Sequence, residues 1–348
     1  MAEGAPMSRS NETIPPLTIV IEWENAIDVD DRWTRRAMAA LQDELARCQA
    51  RFAQRPRILY LYDEGAVVQS SISNTIDAVA PRLRELADVE LTPTPGLTYY
   101  KLKNFGVGQS RTDLTVMVDS DAGPQPGWLD AILAPFADPE VMAVGGFTVL
   151  GHDDLLSRAM ALSWIFDLRG ERARTVKRAK IHVNNCAVRT DFFRNNPFPD
   201  LPGAFKKQCG FWLRDLDRRG IKWVRTAEAM TVHAPHPGGS FIVWRAWTMG
   251  MDRDFQMYHT GTHSRLGRLG LAFSIPIKKA TRACRRILTK SDQVDLPRWQ
   301  RPLAMGIAVG FYSTMLAGQL FSATVRSFTP LPATAATGDE RRSASAVA

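Results

Sequence analysis

Three short apolar runs, each ending in acidic residues, constrain the fold of this chain more than any other feature. They are LTIVIEWEN (17–25), RILYLYDEG (57–65) and DLTVMVDSD (113–121). Runs rich in β-branched and aromatic residues read as strands. Strands apolar on both faces belong to parallel sheets covered by helices on each side. The stretches between supply those helices. DRWTRRAMAALQDELARCQARF (31–52) has apolar residues at helical spacing, and SNTIDAVAPRLRELA (73–87) reads as a second helix that Pro81 can break. A short helix over 126–138 and a strand over 141–150 continue the alternation, which argues for an α/β domain.

In such sheets ligands bind beyond the carboxyl ends of the strands. Glu24, Asn25, Asp63, Asp119 and Asp121 all fall there, on one edge. There is no GxGxxG after the first strand and no GxxxxGK[ST], which excludes a dinucleotide fingerprint and a P-loop. An Asp-x-Asp at a strand end offers hard oxygens to Mg²⁺ or Mn²⁺. A divalent ion there can stabilise the charge that builds on a departing diphosphate. The plainer alternative is a turn, which Asp and Ser favour.

The second half is less regular. NNCAVRTDFF (184–193) reads as a strand and a helix start. The stretch from Phe211 to Pro235 reads as a helix ending near Gly220, then short strands ending at His233. An amphipathic helix is expected over 240–258. Cys48, Cys186, Cys209 and Cys284 show no CxxC or zinc spacing, so free thiols in a reducing compartment are expected. The first sixteen residues form a polar lead-in without the apolar run of a signal peptide. The tail 329–348, rich in Ala, Ser and Thr, is expected to be disordered.

The formal charge is +8. Residues 265–301 hold ten Lys/Arg and two Asp, so that segment accounts for all of it. A uniformly basic protein would suggest nucleic acid. One basic segment beside an apolar one suggests an anionic membrane surface instead, with no nucleic-acid partner. The apolar segment, residues 302–325, has 24 residues and no charge. That length suffices to span a bilayer, and a helix lying on the membrane or docked on the domain is the alternative. If it spans, the basic cluster stays cytoplasmic.

The ordered series VIEWENA, LYLYDEG, YYKLKNFGVGQSRTDLTVMVDSDAGPQPGWL, VGGFTVL and NNCAVRTDFF resembles the glycosyltransferase family 2 enzymes. The resemblance covers about residues 17 to 258. It implies an α/β fold of the GT-A type: a Rossmann-like, nucleotide-binding mixed sheet with helices on both faces. The basic and apolar region 259–328 would add membrane-associated helices. The resemblance also implies transfer of a sugar, with inversion, from a nucleotide-sugar donor to a glycan or lipid-linked acceptor, and the basic and apolar segments put the expected location at the cytoplasmic side of the cell membrane.

Residue by residue, it implies that Asp119, Asp121 and His233 hold Mg²⁺ or Mn²⁺, His233 having diphosphate contact as its alternative. Glu24, Asn25, Asp63, Lys103, Asn104, Ser120 and Arg245 would contact the donor, Lys103 and Asn104 together with Gly106 forming the Asn-x-Gly segment. Arg245 has a merely packed helix position as its alternative. The family's acidic pair, whose Asp is the usual general base, falls on Gln208 and Cys209, neither of them a carboxylate. Three explanations stand open: another acid such as Asp191 or Asp200 serves; transfer is lost and binding kept; or the acceptor is already anionic and needs no base. A nucleotidyltransferase would need a glycine-rich basic loop near the N-terminus, which is not seen.

Overall fold

The computed structural model describes residues 13–169, 181–236, 238–260 and 264–326. The lead-in expected over 1–16 falls largely outside these residues, and the tail expected over 329–348 falls wholly outside them.

Eight strands form one sheet. β1 (Leu17–Glu22), β2 (Arg57–Tyr62), β3 (Asp88–Pro93) and β4 (Leu114–Asp119) make its parallel half. β5 (Ala122–Pro124), β6 (Ala143–Leu150), β7 (Asn185–Arg189) and β8 (Trp223–His233) make the other. The order is β3-β2-β1-β4-β7-β6-β8-β5. β7 runs antiparallel to β4 and β6, and β5 antiparallel to β8. The expected mixed sheet is therefore present. The three apolar runs are its central strands, with every residue of β1 and β4 buried.

One face is covered by α2 (Asp31–Cys48), α3 (Gln69–Val79) and α6 (Trp128–Leu133), which contribute Met38, Leu41, Ile72, Ile76 and Ile132 to a single apolar cluster. The opposite face carries α5 (Tyr99–Gln109), α8 (Thr190–Asn195) and α9 (Gln208–Arg218), through Leu102, Val107, Phe193 and Trp212. Short helices α1 (Glu24–Asp28) and α4 (Leu83–Leu86) complete the first half, α4 beginning after the break at Pro81.

Several elements went unread in the sequence, β3 and α5 the largest of the first half. β3 is an edge strand with alternating exposed positions and no apolar run. α5 buries Lys103 and Gly106 among its apolar residues, which hides its helical period. The short strands expected before His233 are one strand, β8, whose pairing with β6 shifts register between Gly145 and Phe147.

A third cluster joins α7 (Leu155–Ser163) to α10 (Gly239–His259), α11 (Arg265–Lys290) and α12 (Arg301–Val325). α10 and α12 cross in backbone contact. A Cβ on Gly250 would lie 2.1 Å from the Met315 carbonyl oxygen, and one on Gly318 would lie 2.3 Å from that of Trp247. Asp254, fully buried on α10, accepts from Arg268 Nε (3.0 Å) and from Ser322 Oγ (3.0 Å), tying three helices together. The apolar segment is thus docked on the domain along one face. All four cysteines are free, as expected.

Candidate functional site

The site is built at the carboxyl edge of β1 and β4. Glu22 and Asp119 are register partners there. The chain then turns through Ser120 and Asp121 into β5, where Ala122 pairs with His233 of β8 and Ala234 N–H bonds the Asp121 carbonyl (2.9 Å). This pairing carries His233 from a distant part of the sequence to the Asp-x-Asp. Ligand atoms of Asp119, Asp121 and His233 lie within 4.8 Å of one another, and all three residues are buried.

The segment after the Asp-x-Asp is held from below. The buried Glu44 carboxylate accepts the N–H groups of Gly127 (2.9 Å) and Leu129 (3.0 Å). Gly127 has φ +87, which a side chain would strain. Trp128 Nε1 donates to Asn185 Oδ1 (2.8 Å), which fixes β7 alongside.

The two aspartates have pKa values shifted in opposite directions. Asp119 accepts from Lys103 Nζ (2.8 Å), from Tyr99 OH (3.0 Å to each oxygen) and from Asn25 Nδ2 (3.0 Å). Burial pushes its pKa up, but Lys103, His233 and Tyr99 outweigh this and hold it below the usual carboxylate range. Asp121 is buried with neither oxygen hydrogen-bonded. Burial pushes it up to about 6, His233 opposing and Asp119 adding to the rise. A buried, unpartnered carboxylate is costly unless something pairs with it.

His233 Nδ1 lies 2.7 Å from the Ala234 carbonyl and 3.4 Å from Asp121 Oδ2. A carbonyl can only accept, so Nδ1 donates to it and Nε2 is the ring nitrogen left for a metal. Two orphaned carboxylate oxygens beside this imidazole nitrogen fit Mg²⁺ or Mn²⁺, with Asp121 and His233 as the ligands in hand and Asp119 already committed.

The other expected residues divide. Asn25 lies at the site, its N–H on Glu22 Oε2 (3.1 Å). Glu24 is half-buried beside it; burial raises its pKa, and Lys206 and Lys103 pull it back. Asp63 sits at the end of β2, its Oδ1 accepting from Gly65 N–H (2.9 Å). Lys103 is buried between Asp119 and the Val118 carbonyl (3.1 Å).

Asn104 is a correction. Its amide is spent on both backbone groups of Phe198, at 2.9 and 3.0 Å, on the far side of α5. Gly106 is there for packing, since a Cβ would meet Val20 Cγ1 at 2.4 Å. Ser120 stands in the turn after β4; with Asp119, Ala37, Met38 and Tyr60 it lines a small cavity under α2, and its buried Oγ has no partner. Arg245 is buried on α10 with Nη1 unpartnered.

Gln208 opens α9, where its Oε1 accepts from Lys207 N–H (2.9 Å), and Cys209 Sγ lies 2.9 Å from the Ile181 carbonyl. No carboxylate stands at these positions. Asp191 and Asp200 are exposed and paired with Arg194 and Lys101. Asp215 and Asp217 are engaged with Arg218, Arg219 and the Trp223 indole.

Sequence reading missed five residues. Glu22 is fully buried, with its pKa raised by burial and by Asp119; an acid inside the first apolar run was its signal. Tyr99 bonds Asp119. Lys206 lies 4.8 Å from the Tyr99 ring, with its pKa lowered by burial and by Arg245. Asp252 accepts the N–H groups of Phe205 (2.7 Å) and Lys206 (3.0 Å) and so fixes that loop. His236 stands next to His233, ring centroids 6.1 Å apart. Tyr99, Lys206 and Asp252 had no local signal.

Comparison with known proteins agrees with this architecture. The structure of the mannosyltransferase PcManGT from Pyrobaculum calidifontis, in complex with GDP-Man and Mn²⁺, superposes with a TM-score of 0.54 at 14% identity, covering 92% of each chain. The chain has the GT-A fold. Glucosyl-3-phosphoglycerate synthase from Mycobacterium tuberculosis is a looser likeness, with TM-score 0.44 and 14% identity over 72% of this chain and 81% of that one. No protein-family model and no curated protein sequence matches the chain.

Proposed function

We propose that this GT-A domain is a divalent-metal-dependent glycosyltransferase using a nucleotide-sugar donor. The observation that carries the reading is the orphaned Asp121 carboxylate beside His233, at the strand edge where α/β sheets bind ligands. A divalent cation held there supplies Lewis-acid stabilisation to the leaving diphosphate. Glu24 and Asp63 stand at the ends of the first two strands, placed for the ribose and base. Lys103 and Tyr99 keep Asp119 ionised and immobile. Lys206 and Arg245 add positive charge where phosphates would lie.

Residues 206–209 offer no carboxylate as general base, which also favours a second reading: a binding protein without transfer. Release of nucleoside diphosphate separates the two. The protein is incubated with UDP-, GDP- and dTDP-sugars, Mn²⁺ and a membrane-lipid extract. Metal-dependent release from one donor is expected. Donor binding without any release would leave only the second reading.

The membrane surface enters as part of this proposal. On α11, Leu266, Phe273, Ile277 and Leu288 are exposed and fall within about 60° of one another on a helical wheel. Such a stripe with basic side chains around it suits an interface helix. α12 is long and apolar enough to cross a bilayer, and its contact with α10 and the buried Asp254 along one face favours a position on the membrane surface. Nucleotide-sugars would then be met at the cytoplasmic face.

A further inference from the structure

A cleft of about 690 Å³ opens between α11 and the stretch from the end of α7 to Asp167, in the size range of ligand sites. Its α11 side is cationic. Lys279, Arg282, Arg285, Arg286 and Lys290 all line it, within about 140° of one another on the helical wheel. Arg282 and Arg285 are exposed, and the other three are half-buried. The lining also carries four rings: Trp164, Phe166, His182 and Tyr312. Tyr312 is anchored through its hydroxyl to the Ser163 carbonyl, and Trp164 packs on Phe166 with ring centroids 5.4 Å apart. The buried indole N–H of Trp164 has no hydrogen-bond partner.

Among the described residues the one acid in this lining is Asp167, which Arg225 holds in an ion pair. The cleft is therefore positive, and a multiply charged anion complements it. Two features choose among anions. The first is direction. The exposed apolar stripe of α11 lies roughly opposite on the wheel, about 160° from the cationic face. A bilayer under that stripe meets the far side of the helix, which leaves the cleft to an anion from solution. The second is the rings. Pyranose units have apolar faces that pack on aromatic rings, and carboxylates on them pair with guanidinium groups. Phe166 also joins the cleft to the reaction centre, its ring centroid lying 5.1 Å from that of His233.

We propose that this cleft is a binding site for an acidic glycan, a run of sugar units carrying carboxylates, held beside the reaction centre and outside it. The choice of a glycan over other polyanions rests on the glycosyltransferase reading. Arg282, Arg285 and Lys290 take the carboxylates, and Trp164 and Tyr312 offer ring faces to the sugars between them. The basic segment of the chain thus has two faces with two tasks. Its apolar stripe meets the membrane, and its cations hold a soluble, charged polymer against the catalytic domain.

The test is calorimetry on the full chain, without donor or metal, using tetragalacturonate, maltotetraose, tetraglutamate and a short oligothymidylate. Tetragalacturonate should bind about a hundredfold more tightly than neutral maltotetraose, at about tenfold for each charge-assisted contact. Added salt should weaken it. It should also bind more tightly than tetraglutamate, which has the charge without the rings. Arg282→Glu with Arg285→Glu should weaken it about a hundredfold; both side chains are exposed, so the fold is kept. Lys278→Glu with Arg298→Glu makes the same change of charge at exposed positions outside the cleft and should leave binding unchanged. Equal loss in the two double variants would mean diffuse surface charge. Equal binding of tetraglutamate would mean a site that reads charge alone, and tighter binding of oligothymidylate a nucleic-acid site. Each of these overturns the proposal. Because donor and metal are absent, a protein that binds Mn²⁺ and a nucleotide-sugar but not tetragalacturonate overturns this inference and leaves the proposed function standing.

Discussion

Asp119 and Asp121 are two residues apart and chemically unlike. Asp119 is neutralised by Lys103, so Lys103→Met should leave a buried carboxylate unpaired and cost about 3–5 kcal/mol, read by denaturant unfolding. Asp121 is raised, so the metal-free fold gains stability from it at low pH. That gain is complete below the unfolded value near 4 and is lost as pH rises through about 6. At about 1.4 kcal/mol per unit this amounts to roughly 3 kcal/mol. Melting wild type and Asp121→Asn from pH 4 to 7 without metal should show wild type losing stability relative to the variant, and Mn²⁺ should reverse the loss. A constant difference between the two proteins would contradict the assignment. The Asp pair and His233 were legible because each follows an apolar run that fixes its place on the sheet edge. Lys206 and Asp252 were not, because loops and helices far apart in sequence bring them there; His236 stands only three residues after His233. Asn104 was misread for a related reason: a motif gives position along the chain, and only packing decides which side of an element faces the site.

At the level of elements, the central strands were legible from their composition, since burial on both faces leaves no polar position to interrupt the run. β3 escaped because an edge strand buries little, and α5 because its buried face includes a lysine and a glycine with specific partners. The docking of α12 stood as one alternative in the sequence; its inner face combines Phe311, Tyr312 and Met315 with Ala304, Ala308, Gly318 and Ser322, small residues that permit close backbone approach. The backbone contact at Gly318 makes a sharp prediction. Gly318→Ala should force α10 and α12 apart and cost about 1–3 kcal/mol. Asp254→Ala should cost more, because it strands the buried Arg268. Both should speed proteolysis within α12 relative to the sheet domain; unchanged cleavage would mean that these contacts do not hold the helix.

For the whole molecule, the charge is confined to one segment and the exposed apolar stripe lies on the helix that carries most of it. Vesicles containing phosphatidylglycerol should sediment the protein, pure phosphatidylcholine vesicles much less, and added salt should weaken the binding. Phe273→Glu with Ile277→Glu should abolish it without disturbing the sheet domain. Binding that ignores both lipid charge and these substitutions would put the membrane face elsewhere. The central claim is that Asp121 and His233 hold a divalent ion for a nucleotide-sugar at the carboxyl edge of the sheet. Its most direct test is calorimetric titration of UDP-, GDP- and dTDP-sugars into wild type and Asp121→Asn, with and without Mn²⁺. The account predicts that one donor binds wild type in a Mn²⁺-dependent manner and that the variant loses the metal dependence. Equal, metal-independent binding to both proteins, or no binding of any donor to folded wild type, would contradict it.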